Sequence, residues 1–140
     1  MSYDANCFYC TRDQRLQDLM IEIGDLSIAK VYLFKEQTYR GRCVVALNRH
    51  EREIFDLKPE EVASYFQDVA RVANAIDQAF KPSKINYGLF GDTVPHIHCH
   101  VVPKYDGGHR WGTMFEMNPG QVYLSDAEYQ EIIAQIKKFL

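Results

Sequence analysis

The sequence predicts an α+β fold, an antiparallel sheet with one long central helix and a C-terminal helix packed on it. Three features point there. Four short runs of apolar and β-branched residues are bounded by turn residues, which reads as strands. An apolar stripe at helical spacing lies between the second run and the third. A capped amphipathic segment follows a turn signal near the C-terminus. Strands interrupted by a central helix and followed by a terminal one belong to α+β layers.

The elements follow in chain order. The first dozen residues form a short irregular lead. Residues 28–34 (IAKVYLF) and 42–47 (RCVVAL) read as two strands, with Gly41 punctuating the loop between them. A long helix starts near Pro59, a residue favoured at the first helical position, and Glu60 and Glu61 suit the positive end of its dipole. Val62, Phe66, Val69, Ala73, Ile76 and Phe80 recur at spacings of three and four and mark its buried face, and Pro82 stops it. Residues 85–90 and 97–102 read as the third and fourth strands, and Asn118-Pro119-Gly120 as a turn. Ser125 with Glu128 makes a capping box for a last helix that carries Tyr129, Ile132, Ile133, Ile136 and Phe139.

The chain has 140 residues, 46% hydrophobic, 25% charged and 13% aromatic, a globular composition that excludes disordered and fibrous classes. A chain of that length buries roughly two-thirds of its unfolded surface without a staple. No repeat, low-complexity tract or linker divides it. The net charge of −3 argues against a general nucleic-acid-binding surface. No apolar run approaches the ~20 residues that cross a bilayer. The start, MSYDANCFYC, lacks the basic and apolar regions of a signal peptide. A cytoplasmic setting is expected. There Cys7, Cys10, Cys43 and Cys99 are thiols, ligands or core residues rather than disulfides.

The informative segment is DTVPHIHCHVVPKY, residues 92–105, which holds three of the five histidines. Alternate side chains of a strand share a face, so His96, His98 and His100 point one way and Ile97, Cys99 and Val101 point into the core. Same-face neighbours are ~6.6 Å apart along the strand, near enough for one phosphate or one metal to touch two of them. Such a row can bind a metal. It can also supply a nucleophile, since neutral imidazole attacks well near pH 7 and forms covalent intermediates.

The run His96-Ile97-His98-Cys99-His100-Val101-Val102 resembles the motif that defines the histidine triad (HIT) superfamily of nucleotide hydrolases and transferases. The order strand, strand, Arg49-His50, long helix, strand and triad strand is similar to a whole HIT domain over about 6–105. Residues 106–140, with Trp111 and the last helix, resemble a bacterial, zinc-containing branch. On that resemblance the chain is a single HIT domain over 1–140.

The resemblance implies chemistry. The middle histidine, His98, attacks the α-phosphorus of a nucleotide, and water or another acceptor resolves the nucleotidyl-histidine. His100 contacts the phosphate oxygens and stabilises their developing charge. Thr93 stands where relatives place a phosphate-binding hydroxyl. Substrates of dinucleoside polyphosphate or adenosine phosphoramidate type follow. A thioredoxin-like redox pair at Cys7-Phe8-Tyr9-Cys10 would need a βαβ context that is missing, whereas two thiolates one turn apart suit zinc. Zinc-bearing members complete the site with residues corresponding to His50 and His96, which implies a structural Cys7–Cys10–His50–His96 site. Members of this size commonly form homodimers. A dimer would cover Tyr32, Phe34, Trp111 and Phe115, for which the long helix leaves little cover, and would bring the stretch after Tyr105 towards the neighbouring site. A nucleotide partner is implied, with no nucleic-acid polymer and no membrane.

Departures from the pattern are local. Many relatives carry a histidine where this chain has Arg42, and an acidic or amide ribose ligand near the place of Phe34, of which Glu36 is only a neighbour. Arg40, Arg42, Arg49 and Arg52 gather around the second strand, and Lys104, His109 and Arg110 follow the triad; these could draw in an anionic polyphosphate. Two other functions compete with the leading one. In the first the triad coordinates a catalytic metal. In the second the chain is a nucleotide-binding or interaction module with incidental turnover.

Overall fold

In the computed structural model, which describes residues 3–140, five antiparallel strands form one sheet in the order β1-β2-β3-β5-β4. The strands are β1 (Met20–Asp25), β2 (Ala29–Phe34), β3 (Cys43–Leu47), β4 (Lys84–Leu89) and β5 (His98–Lys104). The helices are α1 (Phe8–Thr11), α2 (Gln14–Leu19), α3 (Pro59–Phe80) and α4 (Asp126–Lys137). The mixed α+β class, the expected long central helix α3 and the expected C-terminal helix α4 are present.

Period-2 alternation gives the sheet two different faces. Val31, Leu33, Val45, Leu47, Ile97, Cys99 and Val101 turn to one side and pack with α3 and α4. Cys43 and Cys99 are small residues of that core. The side chains of α3 that enter it are Tyr65, Val69, Val72, Ala73, Ala75 and Ile76. This corrects the expected stripe at its edges: Val69, Ala73 and Ile76 are buried, whereas Phe66 is exposed and Val62 and Phe80 are half-buried. The Tyr65 hydroxyl donates to the Val45 carbonyl at 2.8 Å. Asp68 accepts from Ser27 N and Oγ and from Ile28 N, tying the β1–β2 turn to the helix. Ser125 and Glu128 cap α4 reciprocally, as their spacing predicts.

The other face carries Tyr32, Phe34, Val44 and Ala46, covered by Tyr9, Leu16 and Met20 from the N-terminal segment. Within the first dozen residues, expected as an irregular lead, Phe8–Thr11 form the short helix α1, and α2 and the edge strand β1, which the sequence reading leaves unassigned, follow it. Residues 105–122 wrap the same face: Glu36 accepts from Gln121 N and Val122 N, both at 2.8 Å, and from Thr38. Burial pushes the Glu36 carboxyl up, but those hydrogen bonds outweigh it and its pKa is lowered overall. Tyr32, Phe34 and Phe115 are therefore buried within the single chain, and among the four aromatics expected to need a partner Trp111 alone stays exposed.

Candidate functional site

The triad lies on and just before β5, an inner strand between β3 and the edge strand β4. His98 is opposite Ala46 and His100 opposite Val44 on β3, so both rings stand on the face covered by the N-terminal segment. His96 lies just before β5. Pairing continues there, with Ile97 N donating to the Glu51 carbonyl and its carbonyl accepting from Leu47 N. All three rings are buried.

Each imidazole has one nitrogen committed to a defined partner. The Nε2–H of His96 donates to the Leu47 carbonyl at 2.8 Å, leaving Nδ1 as a bare donor atom. His98 reverses this: its Nδ1–H donates to the His96 carbonyl at 2.6 Å, leaving Nε2 with a lone pair. His100 Nδ1 faces the Nη2 of Arg42 at 3.0 Å. Burial lowers the pKa of all three, His96 to about 4 and His100 to about 3, so the rings are neutral at physiological pH.

His98 and His100 line a cleft of about 490 Å³. Phe8, Tyr9, Phe34 and Phe90 supply its aromatic walls, Asp92 and Thr93 one rim, and Met117 and Asn118 another. Thr93 is exposed on that rim. The Tyr9 ring sits 4.9 Å from His98 and 5.3 Å from His96, roofing both. Sequence reasoning missed Tyr9, although its place between Cys7 and Cys10 was a usable signal: whatever holds those two thiols also aims the residues between them.

The expected gathering of cations is not at this cleft, and none of Arg40, Arg49, Arg52, Lys104, His109 or Arg110 lines it. Arg49 forks onto Glu61, Lys104 is buried against the carbonyls of Arg110 and Thr113, and His109 pairs with Glu116. Arg42 is fully buried behind His100 rather than displayed to solvent.

Beside the triad, Cys7, Cys10, His50 and His96 bring one ligand atom each to within 4.8 Å of one another. Cys7 Sγ and His96 Nδ1 are 3.4 Å apart, Cys10 Sγ and His50 Nδ1 3.4 Å, Cys10 Sγ and His96 Nδ1 3.6 Å, and the two Nδ1 atoms 3.2 Å. Around a tetrahedral zinc, S···N edges are about 3.5 Å and N···N edges about 3.3 Å, given the usual bond lengths. The Asp4 carboxylate lies 3.8 Å from the other nitrogen of His50. Two thiols and two imidazole nitrogens converging on one point form a cluster that could bind a metal.

Residues 25–107 match the model of the HIT domain. A relative called "Protein hit" from Bacillus subtilis is 27% identical over 148 residues, spanning 96% of this chain and 94% of its own length. An asymmetrical bis(5'-nucleosyl)-tetraphosphatase of Schizosaccharomyces pombe is 33% identical over 69 residues, which is 46% of this chain and 38% of that protein. Among solved structures, a histidine triad protein from Bradyrhizobium japonicum superposes with a TM-score of 0.83 at 24% identity, over 99% of this chain and 98% of its own. A Zn-bound histidine triad family protein from Mycobacterium smegmatis does so with a TM-score of 0.68 at 24% identity, over 95% and 94%. With its sheet order, its histidine row on β5 and a family match over more than half its length, the chain belongs to the HIT domain family.

Proposed function

We propose that this protein is a nucleotidyl hydrolase or transferase that cleaves a phosphoanhydride or phosphoramidate bond next to a nucleoside monophosphate. The observation that carries the reading is the hydrogen bond from His98 Nδ1 to the His96 carbonyl, which leaves Nε2 unprotonated in a cleft also lined by His100. The Nε2 lone pair forms a bond to the α-phosphorus as the bond to the leaving group breaks. The ring becomes an imidazolium, and the His96 carbonyl already accepts its Nδ1–H. Water then forms the new P–O bond, the N–P bond breaks, and a water proton is released to solvent. His100 holds the phosphate oxygens, and Thr93 at the rim is a further donor for them. A dinucleoside polyphosphate substrate is supported by the name of the tetraphosphatase relative; an adenosine phosphoramidate offers the same α-phosphorus.

The alternative in which the triad holds a catalytic metal is opposed by Arg42, whose guanidinium would stand 3.0 Å from a ligand ring. Zinc fits the Cys7–Cys10–His50–His96 quartet instead, and the zinc-bound relative supports that metal. Bound there it supplies a structural cross-link and leaves His98 free. The unpaired cysteines fit a reducing, cytoplasmic setting. Among the described residues no helix is long and apolar enough to cross a membrane.

The test is the intact mass of protein quenched during turnover of a slow adenosine phosphoramidate. A nucleotidyl adduct mapped to His98 is expected; an adduct elsewhere, or none, overturns the reading. A homodimer is proposed as well, because β4 is an edge strand whose Tyr87 and Leu89 are exposed, and Trp111 and Met114 are exposed too. Light scattering at low micromolar concentration should give twice the chain mass; the 16.3 kDa of a single chain would overturn the dimer.

A further inference from the structure

We propose that Arg42 is a positioning residue: it fixes His100 as a neutral imidazole whose Nε2–H is a committed donor to the substrate phosphate. The consequence for rate rests on the function proposed above, whereas the state of the ring can be read without it.

A guanidinium has donors and no acceptor. Arg42 Nη2 lies 3.0 Å from His100 Nδ1, so that nitrogen must accept and the ring proton must sit on Nε2. His100 lines the cleft, and among the described residues its Nε2 has no partner within the chain. The same row of histidines therefore holds two opposite tautomers. His98 keeps its proton on Nδ1 and presents a lone pair; His100 keeps its proton on Nε2 and presents a donor. A nucleophile and an oxyanion ligand need these two states.

Arg42 is built to hold that position. It is 0% exposed, its guanidinium lies 4.1 Å from the centre of the Phe34 ring and 5.2 Å from that of Phe115, and Nη1 donates to the Glu116 carbonyl at 3.3 Å. Nη2 also reaches Met117 Sδ at 3.4 Å, while Nε has no partner. No carboxylate among the described residues makes an ion pair with it. Burial brings its pKa down only to about 10, so it stays cationic at neutral pH. A buried cation without an acid is costly. An anionic phosphate hydrogen-bonded to His100 Nε2 would offset that cost through the intervening ring, and the cation would in turn polarise the Nε2–H towards the phosphate. A histidine in the place of Arg42 could titrate; the guanidinium cannot over the working range.

The groups acting on His100 besides Arg42 are few. His98 is its titratable neighbour along β5, and Phe34 and Phe115 are its aromatic contacts. Glu36, Tyr39 and Tyr9 act on the guanidinium, and the Glu116 carboxylate is turned onto His109 and Arg110. Burial and Arg42 both disfavour the imidazolium at His100.

Long-range ¹H–¹⁵N spectra of the unmodified protein test the ring state directly. His100 should show the neutral Nε2–H tautomer and no titration between pH 5 and pH 8. An Nδ1–H tautomer, or titration near the ordinary value of about 6.5, overturns the proposal whether or not His98 forms an adduct. Arg42→Met keeps an apolar stem between Phe34 and Phe115 and removes both donor and charge. It should mix the tautomers and lower kcat about 10- to 100-fold with KM changed less than about threefold, as expected when a transition-state contact is weakened. Arg42→Lys, with donor and charge kept, should recover part of that loss and the Nε2–H tautomer. An Arg42→Met protein with the wild-type His100 spectrum and wild-type kcat would overturn the role of Arg42 while leaving the His98 adduct untouched.

Discussion

The two faces of the sheet are held by different means. Towards α3 and α4 the strands present Val31, Leu33, Val45, Leu47 and Val101, and the helices return Val69, Val72, Ile76, Ile132 and Ile136. That interface is stabilised by apolar area, about 25 cal/mol per Å² removed from water. Towards the triad the same strands present Tyr32, Phe34, His98 and His100, and the cover consists of two short helices and a wrapping loop. That side buries a guanidinium and several imidazoles, so it needs fixed partners: the Leu47 and His96 carbonyls, the Arg42–His100 contact and the Cys7–Cys10–His50–His96 cluster, which could bind a metal. A single period-2 pattern lets one strand serve both, which means that a substitution one residue along changes which property of the protein it damages.

His98→Ala should have the largest effect, and on activity alone. Losing the proposed covalent route should cost about three orders of magnitude or more in the hydrolysis of an adenosine phosphoramidate. Nucleoside monophosphate should still bind and the melting temperature should hardly move. Retention of a tenth of the activity would show that the chemistry lies elsewhere, and an intact biological role with no turnover would favour a binding module.

Two substitutions then compare what holds each face. Ile76→Ala cuts a fully buried side chain from the dry face and should destabilise by about 2–5 kcal/mol with kcat preserved below the new Tm. Cys7→Ala acts on the other side. Metal analysis of undialysed protein should fall from about one zinc per chain to none, with a loss of about 3 kcal/mol, or roughly 10 °C in Tm. The fall in Tm should exceed any change in the intrinsic rate at His98, since the quartet holds the N-terminal cover rather than the reacting atoms. Absence of zinc in carefully purified wild-type protein would remove the cross-link, and equal Tm values with a large rate loss would move the quartet into the chemistry.

How much of this was legible follows the same division. β2, β3, α3 and α4 could be read because each has a strong apolar period or a cap. The triad could be read because three histidines at spacing two leave one geometry. β1 was missed: Glu22 and Asp25 interrupt its alternation, and a bulge between Glu22 and Gly24 shifts its register at the sheet edge. α2 was missed because it buries only Leu16. Phe66 was misplaced because helical spacing alone does not fix where a stripe ends, and Tyr65, its neighbour, is the residue that reaches β3. The resemblance that assembled the metal quartet drew on residues up to 89 positions apart, which local pattern alone could not join. Arg42 was read as a departure and as one of a gathering of cations open to solvent, since no local signal distinguishes a buried arginine from an exposed one.

The smallest effect lies where the two faces meet, at the start of α3. Arg49, next to the metal-quartet residue His50, forks onto Glu61 with contacts of 2.6 and 3.0 Å, and Glu61 also accepts from Lys58 N at 2.9 Å. The Arg49 hydrogen bonds first, then the Lys58 N–H, pull the Glu61 carboxyl from 4.5 down to about 2. Because the folded pKa is the lower one, Glu61 contributes its stability fully above pH 4.5, loses it as pH falls towards 2, and contributes nothing below. Solvent screening keeps that contribution small. Glu61→Gln keeps an acceptor for the helix cap but removes the charge, so it should lower Tm slightly and by a constant amount between pH 5 and pH 8. The gap to wild type should narrow as the pH falls below 4.5, and shrink in 1 M salt, where the screening length is about 3 Å. Zinc content should not change, because the ion pair anchors the helix and not the ligands. A gap that widens in acid would reverse the sign assigned to Glu61, and loss of zinc would mean that the dry face and the metal quartet are coupled through Arg49 and His50.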